Sequence, residues 1–376
     1  MSITHTILPC TACRVECSQF SSVSSPIEHF CLQLNVTKKR DSFVQQLDSL
    51  LKAWGSFVAQ HPQARAIFTR VFLSDSNNQE CITRAAMPKD CGALSVIEQS
   101  PLDGSKISIL VYLQTNVECS YLEGGAITYK EEGLEHLWTA SARLNEGNSH
   151  EQCEQLFEQY SAHLEQAGGD LFHNSIRTWL FVQNVDANYA GVVTGRNAHF
   201  DVKNLTEKTH YISSTGIQGR SKDIRSLVQM DTYSILGVRD EQIQFLHALD
   251  HLNPTHEYGV RFERGTAVHF KDRTQCFISG TASIDNKGNV LHVGDIKSQC
   301  LRMWENVDAL LSEAGASMND SLHMIVYLRD IADYEIIEEM FTQRFPHIPR
   351  VIVLAPVCRP AWLIEMECIT ITQTQP

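Results

Sequence analysis

Leu301-Arg-Met-Trp304-Glu-Asn-Val307-Asp-Ala-Leu310-Leu311, followed by Met324-Ile-Val-Tyr-Leu-Arg-Asp330, decides how this chain folds. In the first stretch, apolar residues at 301, 304, 307, 310, 311 and 314 recur at the spacing of one buried helix face. Ala314-Gly315 then closes the helix with a C-terminal glycine. The second stretch is an apolar strand ending on a carboxylate. The same phrase occurs twice earlier in worn form. One copy is Leu156-Phe157-Glu-Gln-Tyr160-Ser-Ala-His-Leu164, closed at Ala167-Gly168, then Arg177-Thr-Trp-Leu-Phe-Val-Gln-Asn184. The other is Leu47-Asp-Ser-Leu50-Leu51-Lys-Ala-Trp54, then Thr69-Arg-Val-Phe-Leu-Ser-Asp75. A recurring unit means one architecture used three times. The last copy alone carries a full set of chemical groups.

Working outward, Gln275–Ile284 reads as a strand and Asp285-Asn-Lys-Gly288 as a hairpin turn. His136–Leu144 and the turn Asn145–Asn148 repeat this, with Thr-Ala-Ser expected at the same place in both. Pro26–Leu34 fills the slot in the first unit. After the central strand, a second helix spans Tyr334–Phe345, and the strands Val351–Ala355 and Ala361–Ile369 follow and are expected to pair. Lys106–Leu113 and His210–Ser214 are the corresponding strands of the first and second units. Each unit thus reads strand, strand, helix, strand, helix, strand. That is an α+β unit, a mixed sheet with helices packed on one face. Burying the other face calls for three units around a shared axis. The expected units are residues 1–119, 120–256 and 257–376, the first two degenerate and the third carrying the site.

The 376 residues suffice for two or three domains, and an apolar fraction of 43% fits a soluble globular core. A formal net charge of −13 argues against nucleic-acid binding, which needs a basic face. No run of about 18 apolar residues is present, so no membrane span is expected. Met-Ser-Ile-Thr-His-Thr lacks the basic and apolar regions of a secretory signal. The twelve cysteines are scattered, as in a reducing cytoplasm. Cys10, Cys13 and Cys17 cluster but lack the second ligand pair of a metal site, so they read as structural. No phosphate-cradling glycine loop is seen, because Gly280-Thr-Ala is no P-loop. His269, His292 and His323 lack ligand spacing and read as strand, loop and edge residues; Trp54, Trp179 and Trp304 read as core.

Residues 266–376 resemble the RidA/YjgF family, also labelled L-PSP endoribonuclease or translation initiation inhibitor. The resemblance rests on Gly280, Ala314-Gly-Ala-Ser317, Val326-Tyr-Leu-Arg-Asp330, Phe345-Pro, Arg350 and Ile364-Glu365-Met-Glu367. It implies a chorismate mutase-like fold, and trimers with sites in clefts between neighbours, so three units in one chain resemble that trimer made covalent. Residues 140–376 also resemble the chorismatases, a RidA-like branch that hydrolyses chorismate. The matching pieces are Gly147-Asn-Ser, Arg177-x-Trp179, Tyr189, Gly195-Arg196 with Phe200, Ser214-Thr-Gly216, Tyr258-Gly259 and Phe262-x-Arg264. Phe277–Ile284, Gly294-Asp295, Gln299 and Cys358-Arg359-x-x-x-Leu363-x-Glu365 complete the match. Glu263-Arg-Gly265 departs from the Ser-Arg-Ala usual in that branch.

Glu365 lies on an otherwise apolar strand, with Leu363 and Glu367 on its face and Ile364, Met366 and Cys368 on the other. A carboxyl on a core strand is costly to bury unpaired, so its pKa rises and it can act as a general acid. Both resemblances place the acid at Glu365. Glu367 reads as a structural or orienting partner. Arg350, at the head of the preceding strand, offers a fork for a substrate carboxylate, the role the RidA resemblance implies; the bland alternative is an ion pair with Glu365 or Glu367. Arg264 and Arg359 are further cations for a dicarboxylate. Cys358 lines the pocket in the chorismatase pattern, where the matching position helps decide the product; no histidine has a claim to activate it as a nucleophile. Tyr258, Thr215 and Gly216 are candidate hydrogen-bonding contacts. Three functions follow: a chorismatase-like enzyme with Glu365 protonating an enolpyruvyl ether, a RidA-type 2-imino acid deaminase using Arg350 and Glu365, or a non-catalytic small-molecule binder. None calls for a metal or organic cofactor. The expected partner is a small carboxylate, in a cytoplasmic protein that is a monomeric pseudo-trimer or a homo-oligomer.

Overall fold

Each copy of the helix–strand phrase builds its own sheet. A computed structural model of the chain describes residues 3–374, the side chains of Glu123 and Tyr258 apart. The first sheet contains β1 (Thr4–Leu8), β2 (Cys13–Ser21), β3 (Glu28–Val36), β4 (Ala64–Leu73) and β5 (Ala93–Glu98). The short β6 (Ser100–Pro101) then crosses to the third sheet, and β7 (Ile107–Thr115) returns, giving the order β1-β2-β3-β7-β4-β5. Helices α1 (Phe43–Gln60) and α2 (Ser76–Ala86) flank β4 in sequence.

The second sheet runs β8 (Cys119–Tyr121), β9 (Ile127–Glu131), β10 (Leu134–Arg143), β11 (Ser175–Val182), β12 (Ser213–Gln218) and β13 (Val228–Leu236), in the order β12-β11-β13-β10-β9-β8. Between its strands lie α3 (Ser149–Gln166), α4 (Leu171–Asn174) and α5 (Val185–Val202). The third sheet has β14 (Ile243–Leu246), β15 (Gly265–His269), β16 (Arg273–Ala282), β17 (Ser321–Leu328), β18 (Arg350–Leu354) and β19 (Ile364–Gln373). Its order is β14-β15-β16-β19-β17-β18-β6, with α6 (Ile296–Glu313) and α7 (Tyr334–Arg344) as crossovers. Because β14 precedes residue 256 yet pairs with β15, we place the start of the third unit near residue 240 rather than at 257.

Local signals explain the elements. Ser42 and Gln45 form a capping box on α1, Asn148 and Glu151 another on α3, and Asp295 caps α6. The buried face of α6 is Ile296, Cys300, Met303, Trp304, Val307, Leu310 and Leu311, while Leu301 faces outward. The carboxylates that end the central strands are caps as well: Asp75 accepts from Asn78 N, and Asp330 from Ala332 N.

Three expectations need correction. The last two strands of a unit do not pair. In the third sheet β17 lies between them, parallel to β18 and antiparallel to β19. A helical crossover delivers a parallel strand to one side of the central strand, so the final strand takes the free side. The strand expected at 210–214 begins at Ser213, and β13 was not foreseen at all. Finally, Thr-Ala-Ser does not mark equivalent places. A bulge interrupts β10 between Thr139 and Ala142, and one interrupts β16 between Ile278 and Thr281. Matched on these bulges, Ser141 corresponds to Gly280 and Thr139 to Ile278.

The helices cover the outer faces, and the inner faces of the three sheets meet in one core. Phe68 of β4 packs on Trp138 of β10, Trp138 on Tyr233 of β13, and Tyr233 on Phe277 of β16, with centroids 5.1, 4.2 and 5.2 Å apart. His323, expected at an edge, sits on the central strand β17 and is buried here. Among the described residues no helix is long and apolar enough to cross a membrane.

Candidate active site

The site starts from the pleat of β19. Ile364, Met366 and Cys368 point to one side of the sheet, and Glu365 and Glu367 point to the other, toward the second unit. Both carboxyls are buried, but they meet different surroundings. Glu367 accepts from Arg177 Nη2 at 2.8 Å, Trp179 Nε1 at 2.8 Å and Thr215 Oγ1 at 2.5 Å, and lies 3.5 Å from Arg70 Nη1. Arg70 also pairs with Asp231 at 3.0 Å. Arg70, Arg177, Asp231 and Glu367 therefore balance two positive with two negative charges. Glu365 makes none of these bonds. Burial first, and the neighbouring Glu367 second, push the Glu365 carboxyl up to about 8, with Arg264 and Arg177 opposing. At neutral pH Glu365 holds a proton it can donate.

The bulge in β16 makes room for this group. A Cβ on Gly280 would stand 2.0 Å from Glu365 Oε1, so any other residue there has to push the carboxyl aside. The hollow in front of Glu365 has about 540 Å³ of empty space, including its mouth, and lies between the second and third units. Its walls bring together most of the expected residues: Glu365, Arg264, Cys358, Arg359 and Gly216. Arg264 lies over Phe262 at 5.4 Å and Arg359 over Trp362 at 4.8 Å. The Cys358 thiol is within hydrogen-bonding reach of the Tyr189 hydroxyl; burial pushes it up to about 12, so it is no thiolate nucleophile at neutral pH. Gly216 lets Tyr189 approach, since a Cβ there would stand 2.8 Å from the ring.

Two expected contacts fall elsewhere. Thr215 alternates away from Gly216, and its hydroxyl is used by Arg177, Glu367 and the Gly280 amide. It supports the site from behind. Arg350 does not join Glu365. It lines a separate hollow of about 900 Å³ of empty space between the first and third units, with Arg14, Glu16 and Lys39. Its guanidinium is bonded to Glu338 at 2.8 Å, Thr342 at 2.6 Å and the Phe345 carbonyl at 3.1 Å. Neither Glu365 nor Glu367 is its partner; Glu338 on α7 is. The side chain of Tyr258 lies outside the described residues, and its backbone closes a short 3-10 turn, Thr255–Tyr258.

Sequence reasoning missed Arg196 as a site residue. It is 2% exposed, it lines the Glu365 hollow, and its Nε and Nη2 have no hydrogen-bond partner among the described residues. The signal was Gly191-x-x-x-Gly195. A Cβ on Gly195 would stand 2.3 Å from the His150 carbonyl, so these glycines let α5 press onto α3 and set Arg196 inward. Tyr189, Phe262, Trp362 and Ser214 also line it. Three arginines around a proton-bearing carboxyl can hold an anion of more than one charge and protonate it.

Comparison with known proteins gives three findings. Residues 265–372 match the model of the family described as Endoribonuclease L-PSP. A RutC family protein of Pyrococcus abyssi is 39% identical over 95 residues, 25% of this chain and 75% of that protein. The 3-aminoacrylate deaminase RutC of Acinetobacter baylyi is 33% identical over the same shares. Among solved structures, a chorismatase superposes with a TM-score of 0.65 at 17% identity, covering 81% of this chain and 93% of its own. That likeness shows a shared fold across most of the chain.

Proposed function

Within the Endoribonuclease L-PSP family, to which this chain belongs, we propose that it is a cofactor-independent enzyme of chorismatase type. The carrying observation is the buried, protonated Glu365 facing Arg196, Arg264 and Arg359 in one hollow. The superposition on a chorismatase supports the reading through the fold. The arginines hold the two carboxylates of chorismate or a related cyclic acid. Glu365 delivers its proton to the terminal methylene of the enolpyruvyl ether, leaving a cation next to the ether oxygen. Water adds there, its proton returning to the carboxylate, and the hemiketal collapses to pyruvate and a hydroxylated ring acid. Burial keeps Glu365 charged only while the substrate cation is beside it.

The deaminase reading is supported by the similarity to RutC. It asks Arg350 and Glu365 to share one ligand, and they line different hollows here. The test is pyruvate release from chorismate, followed with a coupled lactate dehydrogenase, with Glu365→Gln as control. Release that falls at least about a thousandfold in the variant is expected for loss of the general acid together with its charge. No release from chorismate by the wild type, with ammonia release from 2-imino acids, would overturn the reading.

A further inference from the structure

Glu365, Arg196, Arg264 and Trp362 are each no more than 5% exposed, so a ring-sized ligand reaches them only if a wall moves. Two walls of the hollow are irregular. The first, residues 356–363, is pinned to the body. Arg329 holds the Val357 carbonyl at 2.7 Å, Gln299 holds Ala361 O and Leu363 N at 2.9 Å each, and Trp362 Nε1 reaches Ser283 O at 3.2 Å. Among the described residues, the second, residues 254–262, is bonded to itself, to Asn253 through Glu257 at 3.1 Å, and to α5. Thr255 Oγ1 donates to Phe262 O at 2.7 Å, and Gly259 N to His256 O at 3.1 Å. Its ends are fixed: Arg264 Nη2 donates to Asn253 O at 3.0 Å, and Glu263 N to Ile212 O at 3.1 Å. Its links to α5 are peripheral: Asn197 Nδ2 to Gly259 O at 3.3 Å, Arg261 to Asn197 O at 3.3 Å, and the Arg261–Asp201 ion pair. Behind it lies a second hollow, about 740 Å³ of empty space, which shares Phe262 and Arg264 with the first.

We infer that residues 254–262 form a hinged flap that swings into this second hollow to admit ligand to Glu365, and that Asn197, Asp201 and Arg261 are its latch. The hinges are Asn253 and Glu263, and the flap moves as a unit because Thr255 ties its two ends together. Arg264, bonded to Asn253 at the hinge, stays in place as the flap swings. The flap rests on the reading of the Glu365 hollow as a ligand site.

The experiment needs no turnover. Peptide-resolved hydrogen exchange is measured on the whole chain and on Asp201→Ala, whose side chain is 59% exposed and can be removed without disturbing the core. Losing an exposed ion pair should speed exchange at 255–263 about two- to fivefold, leaving β15 and β16 unchanged. Alkylation of Cys358 by N-ethylmaleimide, read by mass mapping, should rise in step. Asn197→Ala is the second variant. Unchanged exchange in both variants overturns the flap, and faster exchange with unchanged Cys358 alkylation overturns its control of access. A protein that meets both expectations yet releases no pyruvate keeps the flap and loses the chorismatase reading.

Discussion

At the scale of the residue, two carboxyls two positions apart on one strand do opposite work because their neighbours differ. Glu367 accepts hydrogen bonds from Arg177, Trp179 and Thr215, whereas on Glu365 burial and the nearby Glu367 outweigh the opposing pull of Arg264 and Arg177. The consequence for pH has a definite sign. The folded pKa of about 8 lies above the ordinary value of 4.5, so between them the folded chain keeps a proton that the unfolded chain has released. Stability from this group is therefore fully present below about 4.5 and is lost as pH rises through 8. Thermal melts should show the wild type losing stability over that window relative to Glu365→Gln, with the variant the more stable of the two above pH 8. Parallel pH profiles for the two proteins would remove the basis for a proton-bearing Glu365. Turnover should decline along the same alkaline limb. Glu365 was legible in the sequence because a carboxyl on an apolar strand stands out against its alternation. Arg350 was not placed correctly, since its partner Glu338 and the Glu16 carboxylate that accepts from its backbone N–H depend on packing between remote segments.

At the scale of the element, the bulge in β16 decides whether a hollow exists. Gly280 leaves space for the Glu365 carboxyl; at the matching place in β10, Ser141 instead fills its interface, bonding Val96 N and Leu94 O of β5. Gly280→Ala should push the Glu365 carboxyl forward into the hollow, out of line with the arginines and into space the ligand needs. We expect a loss of at least about a hundredfold in kcat with a destabilisation of about 1–3 kcal/mol, the range for overpacking. A Gly280→Ala enzyme with wild-type kcat and melting temperature would show that the carboxyl can relax freely. Helices and central strands were readable from periodicity and caps. The bulges were not, because an inserted residue shifts the register without changing composition, and this is why Thr-Ala-Ser was matched wrongly across units.

At the scale of the whole molecule, the three units meet in a ring of related interfaces with different fates. β16 and β19 face β12 and leave the Glu365 hollow, while β10 and β13 face β5 and are sealed by Ser141 and by Glu80 with Arg84 and Arg143. β2 and β3 line the Arg350 hollow together with β18, and by strand register Ser108 of β7 corresponds to Glu365 of β19. A repeated fold has thus kept the acid at one interface and the strand-head arginine at another. The ring is fixed by buried ion pairs that each join two units: Arg70 with Asp231, Arg177 with Glu367, and Arg273 with Glu131. Such pairs contribute little over apolar packing, but removing one partner strands a buried charge and costs about 3–5 kcal/mol. Arg70→Met should cost that much in denaturant unfolding, and adding Asp231→Asn should recover part of it by removing the orphaned charge. Because Arg70 reaches both the second and the third unit, the loss should appear as a shift of one cooperative transition rather than as early melting of the first unit. A first unit that melts separately, or an Arg70→Met cost below about 1 kcal/mol, would mean that apolar packing around Trp138 and Trp179 holds the ring by itself.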